Sequence, residues 1–248
     1  MTPRISVVTP TLNAERYLPE CLTSLRAQDY PAMEHLVVDG GSVDRSFEVV
    51  QAFGHSIWVW APGLNQSQAI NAGLRRATGE VVAWLNADDT YAPGALWCVA
   101  EAFGEKPDLD ALYGECAVVG PDGQHLWTER PGPYHFERLL RRGNYLAQPA
   151  VFLRRRVLER VGLLDESLEY AMDYDLWLRL RGARVAHVPR VLATFRWYPS
   201  SKTARNTRGN WRESMRIVRR YGGGWTPHLA WAYARALVSL AKGRLLGR

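Results

Sequence analysis

Cysteine is scarce. Cys21, Cys98 and Cys116 are the only three in 248 residues, and they are odd in number, far apart and set in apolar stretches. That spacing supports neither a disulfide framework nor a zinc site, and the three read as reduced core residues. The six histidines, at 35, 55, 125, 135, 187 and 228, have no ligand-like spacing and are taken as structural. No apolar run reaches the roughly 18 residues of a membrane span. No signal peptide is recognised either, because "ISVVTP" follows almost at once on Met1. There is no repeat and no low-complexity segment, and Gly222 to Gly224 is the one flexible joint. A cytoplasmic protein that does not cross a bilayer by itself is expected.

Aromatic residues and positive charge are plentiful. Ten tryptophans and eleven tyrosines suit a packed core or a sugar-facing cleft equally well. The formal charge is +6, with the excess in "LRRRVLER" (153–160) and in the tail from Arg205 to Arg248. Such a balance suits nucleic acid, anionic lipid or phosphorylated small molecules as partners, or simply a solvated face. With 47% apolar residues the chain has enough material for a substantial core.

The first half alternates. "RISVVT", "MEHLVVDG", "SIWVW" and "EVVAWLN" are strand-like, and "AERYLPECLTSLRAQ", "SFEVVQAF" and "SQAINAGLRRA" between them have helical spacing. This order implies a mainly parallel sheet with helices on both faces, whose ligands sit at the carboxyl ends of the strands. Those ends carry "TPTLN", "DGGSVD", "PGLNQ" and "NADD", so four polar loops share one edge. Later come a hairpin across "PDGQ", a helix ending at Gly143, the strand "AVFLRR", a helix in "DYDLWLRLRG", short strands in "RVAHVP" and "VLATFRW", and helices near 206–220 and 226–243.

Two carboxylates at a strand end, Asp88 and Asp89 of "NADD", suit a divalent cation completed by substrate phosphates, although a turn or helix cap explains them as well. In "VVDGGSVD", Asp39 at a strand tip before two glycines suits a flat ligand, or an Asx turn. A second acidic pair, Asp173 and Asp175, begins "DYDLWLRLRG".

"SVVTPTLNAERYLPECLTSLRAQDYPAMEHLVVDGGSVDRS", "SQAINAGLRRATGEVVAWLNADD", "QPAVFLRR" and "MDYDLWLRL" resemble, in this order over residues 4–203, the inverting family-2 glycosyltransferases of the GT-A fold. The resemblance implies an α/β Rossmann-like catalytic domain over 1–204 and a basic helical extension over 205–248. It implies a nucleotide-sugar donor, with UDP as the usual nucleotide, and Mn2+ or Mg2+ as cofactor. Thr9, Pro10, Thr11 and Asn13 would line the base pocket, with Asp39 reading the base edge. Asn65, Gln68 and Asn71 would border base, ribose or diphosphate. Asn86, Ala87 and Asp88 stand at the family's Asp-any-Asp motif, so that Asp88 would hold the metal with support from Asp89. Asn86 departs from the first aspartate of that motif and brings no charge. Gln148 would shape the sugar pocket, and Arg196, Ser201 and Lys202 would contact phosphate. Tyr198 stands near the place of a histidine that sometimes ligates the metal. Asp173 is the implied general base, with Met172 replacing a glutamate before it. Trp177 and Trp197, as its neighbours, are candidates for touching sugar.

The expected activity is transfer of a sugar to a hydroxyl acceptor, a sugar, glycan or lipid-linked molecule, in polysaccharide or glycoconjugate assembly. A sugar-nucleotide pyrophosphorylase shares the architecture, but "TPTLNAERYL" is not its Gly-rich basic loop. Asn86, Met172 and Tyr198 keep open a catalytically silent nucleotide- or glycan-binding protein. No nucleic-acid module is recognised. Residues 225–243 bring Leu229, Ala232, Tyr233, Ala236, Leu237 and Leu240 to one side of a basic helix. It would lie peripherally on the inner membrane surface, or pack on the catalytic domain or on a second subunit of a homo-oligomer.

Overall fold

The computed structural model describes residues 2–230 and Ala234. Strand and helix alternate at first: β1 (Ile5–Thr11), α1 (Leu18–Arg26), β2 (Met33–Asp39), α2 (Ser46–Phe53), β3 (Ile57–Trp60), α3 (Gln66–Arg76) and β4 (Val81–Trp84). There follow β5 (Thr90–Tyr91), α4 (Ala95–Glu105), the hairpin β6 (Ala111–Val119) and β7 (His125–Glu129), and α5 (Phe136–Arg142). A 3-10 turn over Gln148–Ala150 leads into β8 (Val151–Arg154), α6 (Arg155–Val161), α7 (Met172–Arg179), β9 (Val185–Arg196), α8 (Lys202–Arg205) and α9 (Thr207–Arg220).

The sheet order is β3-β2-β1-β4-β8-β6-β9-β5, with β7 on β6. The first four strands are parallel, joined by the crossover helices that the alternation demands. β8 enters antiparallel between β4 and β6, β6 and β9 run parallel, and β5 and β7 pair antiparallel with β9 and β6. From β1 the chain steps outward to β2 and β3, then returns to place β4 on the other side of β1. That reversal opens a crevice at the carboxyl ends of β1 and β4, the place where open α/β sheets bind ligands.

Period-2 alternation divides the core between the two faces. Val8, Val82, Trp84, Val151 and Leu153 face one apolar cluster with α3 and α7. Ile5, Val7, Val81, Ala83 and Phe152 face a second cluster with α1 and α4. Gly73 allows α3 to lie close on β1, since a Cβ there would meet Val8 Cγ1 at 2.4 Å. Met215, Ile217 and Val218 of α9, together with Leu229, belong to the α3 and α7 cluster. The segment marked off by charge at 205–248 therefore begins as part of the same core. Most of the 225–243 helix lies outside the described residues, but Thr226 Oγ1 donates to the Arg141 carbonyl at 2.7 Å.

The two short strands expected in "RVAHVP" and "VLATFRW" are one twelve-residue strand, β9. Its register against β6 shifts between Tyr113 and Cys116, where Pro189 supplies no donor. Among the described residues no helix is long and apolar enough to cross a membrane.

Candidate active site

A cleft of about 1460 Å³ runs along the carboxyl edge of the sheet. Pro10, Thr11, Asn13, Asn65, Asn86, Ala87, Asp88, Gln148, Asp173, Arg196, Ser201 and Lys202 all line it, as expected from the sequence. Thr9, Asp39, Gln68, Asn71 and Asp89 are not in its lining.

At one end of the sheet's carboxyl edge, Thr11 and Asp39 are register partners at the tips of β1 and β2. Asp39 Oδ1 accepts from the Gly41 and Ser42 amides at 2.7 and 2.6 Å, in the Asx-turn geometry that fits a carboxylate before two glycines. Asp39 Oδ2 and Thr11 Oγ1 are buried without a hydrogen-bond partner. Two neighbouring orphan acceptors at adjacent strand tips are what a ligand donor would satisfy. Ser201 Oγ, in the cleft lining, is a third orphan.

Four of the expected residues make hydrogen bonds within the scaffold, although Asn65 also lines the cleft. Thr9 Oγ1 is taken by His35 Nε2 at 2.9 Å, beneath the cleft. Burial holds that imidazole down at about 4, so it is neutral and structural. Gln68 and Asn65 form a reciprocal capping box at the start of α3, each accepting the other's backbone amide at 2.9 Å. Asn71 is buried and bridges the Leu164 carbonyl, the Leu164 amide and Glu166, which ties α3 to the loop ahead of α7.

The "NADD" turn at the end of β4 places its two carboxylates differently. Asp88 faces the cleft, its Oδ2 accepting the Tyr198 hydroxyl at 2.9 Å. Asp89 is 1% exposed, and its oxygens accept from the Arg196 amide at 3.0 Å and Asn86 Nδ2 at 3.1 Å. Asp89 therefore braces β9 and Asn86 rather than presenting an oxygen to a metal. Burial raises both carboxyls, and Asp88 raises Asp89 further. Among the described residues no cluster of three His, Cys, Asp or Glu side chains could hold a metal alone. The donor set fits a hard cation bound by one carboxylate, Asp88, and otherwise by substrate oxygens.

Asn86 works as an amide. Its Nδ2 donates to Asp89 and to Gln148 Oε1 at 3.1 Å, while its Oδ1 accepts from Gln66 Nε2 at 2.9 Å. Lys202 Nζ donates to Gln66 Oε1 at 3.1 Å, so the chain of bonds reaches across the cleft wall. Gln66 was not singled out from the sequence, although it closes the "PGLNQ" loop at the sheet edge. Arg196, expected at phosphate, is 3% exposed. Its guanidinium binds Glu20 and the carbonyls of Asp88, Gly120 and Pro121, and lies 4.7 Å from the Tyr17 ring centroid. Four of a guanidinium's five donors are thus engaged in holding the cleft together.

Asp173 lies in the first turn of α7, one residue inside the helix, and not at the cap. Its Oδ2 accepts from Asn144 Nδ2 at 2.9 Å. Desolvation outweighs that bond and the local amides, pushing the carboxyl up to about 6. Glu213 of α9 accepts the amides of Glu169, Tyr170 and Ala171 at 2.7–3.0 Å, which anchors the segment leading into α7. Asp175 is buried against Arg179 and Arg220 and ties α7 to α9. Trp177 is fully buried and stacks on Trp84 at 5.6 Å, and Trp197 is absent from the cleft lining. Neither meets the expectation of touching sugar, because the 100° helical step turns Trp177 into the core. The cleft's aromatic lining includes Tyr17, Trp127, Tyr145 and Trp211, with Asn144 beside Asp173. Spacing does not mark these four, because the start of α1, the hairpin, the loop after α5 and α9 come together only in the folded chain.

The glycosyl transferase family 2 model matches residues 6–162, which includes β1 to β4 and the "NADD" turn. The chain belongs to that family. A PGL/p-HBAD biosynthesis glycosyltransferase of Mycobacterium bovis is 30% identical over 190 residues, covering 71% of this chain and 69% of that protein. An uncharacterized glycosyltransferase of Rickettsia typhi is 27% identical, covering 82% of this chain and 66% of its own length. A second, from Rickettsia prowazekii, is matched over 58% of its length, so this chain spans only part of these relatives. Among solved structures, residues 1–349 of S. aureus TarS in complex with UDP superpose with a TM-score of 0.67 at 20% identity, over 97% of this chain and 70% of that one. Mannosyltransferase PcManGT from Pyrobaculum calidifontis, in complex with GDP-Man and Mn2+, gives 0.65 at 20% identity, over 100% and 77%. These likenesses establish the GT-A type fold for this family member.

Proposed function

We propose that this chain transfers a sugar, with inversion, from a nucleoside diphosphate to a hydroxyl acceptor, UDP being the expected nucleotide. The observation that carries this reading is that one cleft receives Asp88 from the end of β4 and Asp173 from the first turn of α7. The relatives named as glycosyltransferases, and the neighbours holding UDP or GDP-Man, support it by similarity.

In this reading Thr11 Oγ1 and Asp39 Oδ2 take the donor's base and ribose, because each is an acceptor without a partner. Asp88 faces the diphosphate, positioned by the Tyr198 hydroxyl. Asp88 would be the residue to hold a Mn2+ or Mg2+ ion, which would supply positive charge to stabilise the leaving diphosphate. Asp173 takes the proton of the acceptor hydroxyl as that oxygen attacks the anomeric carbon from the face opposite the leaving group. A carboxyl held at about 6 is deprotonated at neutral pH, yet basic enough to accept a proton in the transition state. Asn144 donates to Oδ2 and orients the carboxyl toward the cleft that Asp173 lines. The acceptor is a sugar, glycan or lipid-linked hydroxyl compound of polysaccharide or glycoconjugate assembly.

Asn86 and Met172, where related motifs carry acids, favour a second reading of a silent nucleotide-binding protein. Thermal melting with UDP, GDP, CDP, ADP and dTDP, each with and without Mn2+, tests the donor site. A metal-dependent rise with one diphosphate, lost in Asp88→Ala, is expected and identifies the nucleotide. No rise with any of the five refutes the donor-site reading. Binding without turnover of the matching nucleotide-sugar, across candidate hydroxyl acceptors, supports the silent protein.

A further inference from the structure

Helix α9 has two faces of different character. On one, Asn210, Trp211 and Ser214 line the cleft while Ile217 and Val218 enter the core. On the other, Arg208, Arg212, Arg216 and Arg219 are all exposed. Steps of four, four and three residues, at about 100° each residue, place these four guanidinium groups within an arc of about 80°. Arg220, just outside the stripe, is neutralised by Asp165 and Asp175. No ion pair forms to any of the four among the described residues. No Asp or Glu occurs between Ser214 and Arg248. Close beyond the end of α9, Trp225 is 57% exposed and packs 5.7 Å from Trp211.

We propose that α9, through Arg208, Arg212, Arg216 and Arg219, docks the protein on an anionic lipid bilayer. Arginines gain attraction from a negative leaflet, at about 1 kcal/mol for each one near the surface. The apolar and basic periodicity of 225–243 continues the same composition in sequence. A single-stranded polynucleotide calls for a charged groove with aromatic platforms along it, and the outer face of one helix is not a groove. The inner face of α9 lines the cleft, so docking through the arginine face puts the helix between the bilayer and the cleft. The docking itself does not depend on the donor-site reading, and its test contains no nucleotide.

The experiment is vesicle co-sedimentation of the full chain with phosphatidylcholine alone and with phosphatidylcholine containing phosphatidylglycerol, at low and at high salt. Wild type is expected to bind only the anionic vesicles and to be released by salt. Each arginine near an anionic surface is worth roughly fivefold in partitioning, so the quadruple Arg→Gln variant should lose several hundredfold. Arg212→Gln alone should lose roughly fivefold, which keeps the test sound if the quadruple variant folds poorly. Equal binding to neutral vesicles, no binding to either, or unchanged binding by the arginine variants overturns the proposal. Tighter binding to a DNA or RNA oligonucleotide than to the anionic vesicles at the same salt also overturns it.

Discussion

Replacing Asp173 by asparagine should stop turnover and stabilise the fold at the same time. The carboxyl is held at about 6 against an ordinary 3.8, because desolvation outweighs the bond from Asn144. A raised folded-state value means that the native protein binds the proton more tightly than the unfolded chain does. Its stabilising contribution is full below 3.8 and is lost as pH rises through about 6. At pH 8 the ionised carboxylate therefore costs the wild type up to about 3 kcal/mol, at about 1.36 kcal/mol for each pH unit between the two values. Asparagine has the same shape, carries no charge and still offers Asn144 an acceptor. Differential scanning fluorimetry at pH 8 should show Asp173→Asn melting several degrees higher than wild type, at about 2–4 °C per kcal/mol for a chain of this size. At pH 4 the gap should shrink, since the wild-type carboxyl is then largely protonated. Transfer assayed on the same samples should fall by about a hundredfold to ten-thousandfold, the range for a lost general base. A variant no more stable at pH 8 than at pH 4, relative to wild type, refutes the desolvation argument. Retained turnover refutes the assignment of the base.

Asn86→Asp, which restores the acidic residue common at this motif, should lower the metal-free melting temperature. It replaces donation to Asp89 and Gln148 by acceptor against acceptor, at about 2–4 kcal/mol, and Mn2+ with nucleotide should recover part of the loss. Arg196→Ala should destabilise by about 1–3 kcal/mol in chemical denaturation, because the carbonyls of Asp88, Gly120 and Pro121 lose their buried donor. Unchanged stability with a raised donor KM would mark Arg196 as a phosphate contact instead. Glu213→Gln should weaken the anchor ahead of α7 by about 1–2 kcal/mol and lower kcat, with donor KM unchanged, and a shifted donor KM would count against a role through Asp173.

The parallel half of the sheet was legible because helical and strand periodicities alternate cleanly from Ile5 to Trp84. The same order implies that strand ends share an edge, so Thr11, Asn86 and Asp88 are brought to one cleft by strand order alone. The division of labour inside each motif was not legible. Asp88 and Asp89 are adjacent and chemically identical, yet Asp88 faces the cleft while Asp89 holds the backbone of β9. Asn65 and Gln68, expected as ligand contacts, cap the start of α3 for each other, while Asn65 also lines the cleft.

What the sequence by itself determined is the family's strand-and-motif order and the concentration of positive charge beyond Arg205, because these depend on local period and composition. The tertiary structure alone decided which polar side chains remain unpaired. Partners such as Glu20 for Arg196, Glu166 for Asn71 and Asn144 for Asp173 lie far away in the chain. A buried donor or acceptor is free for substrate only if no such distant group has already satisfied it.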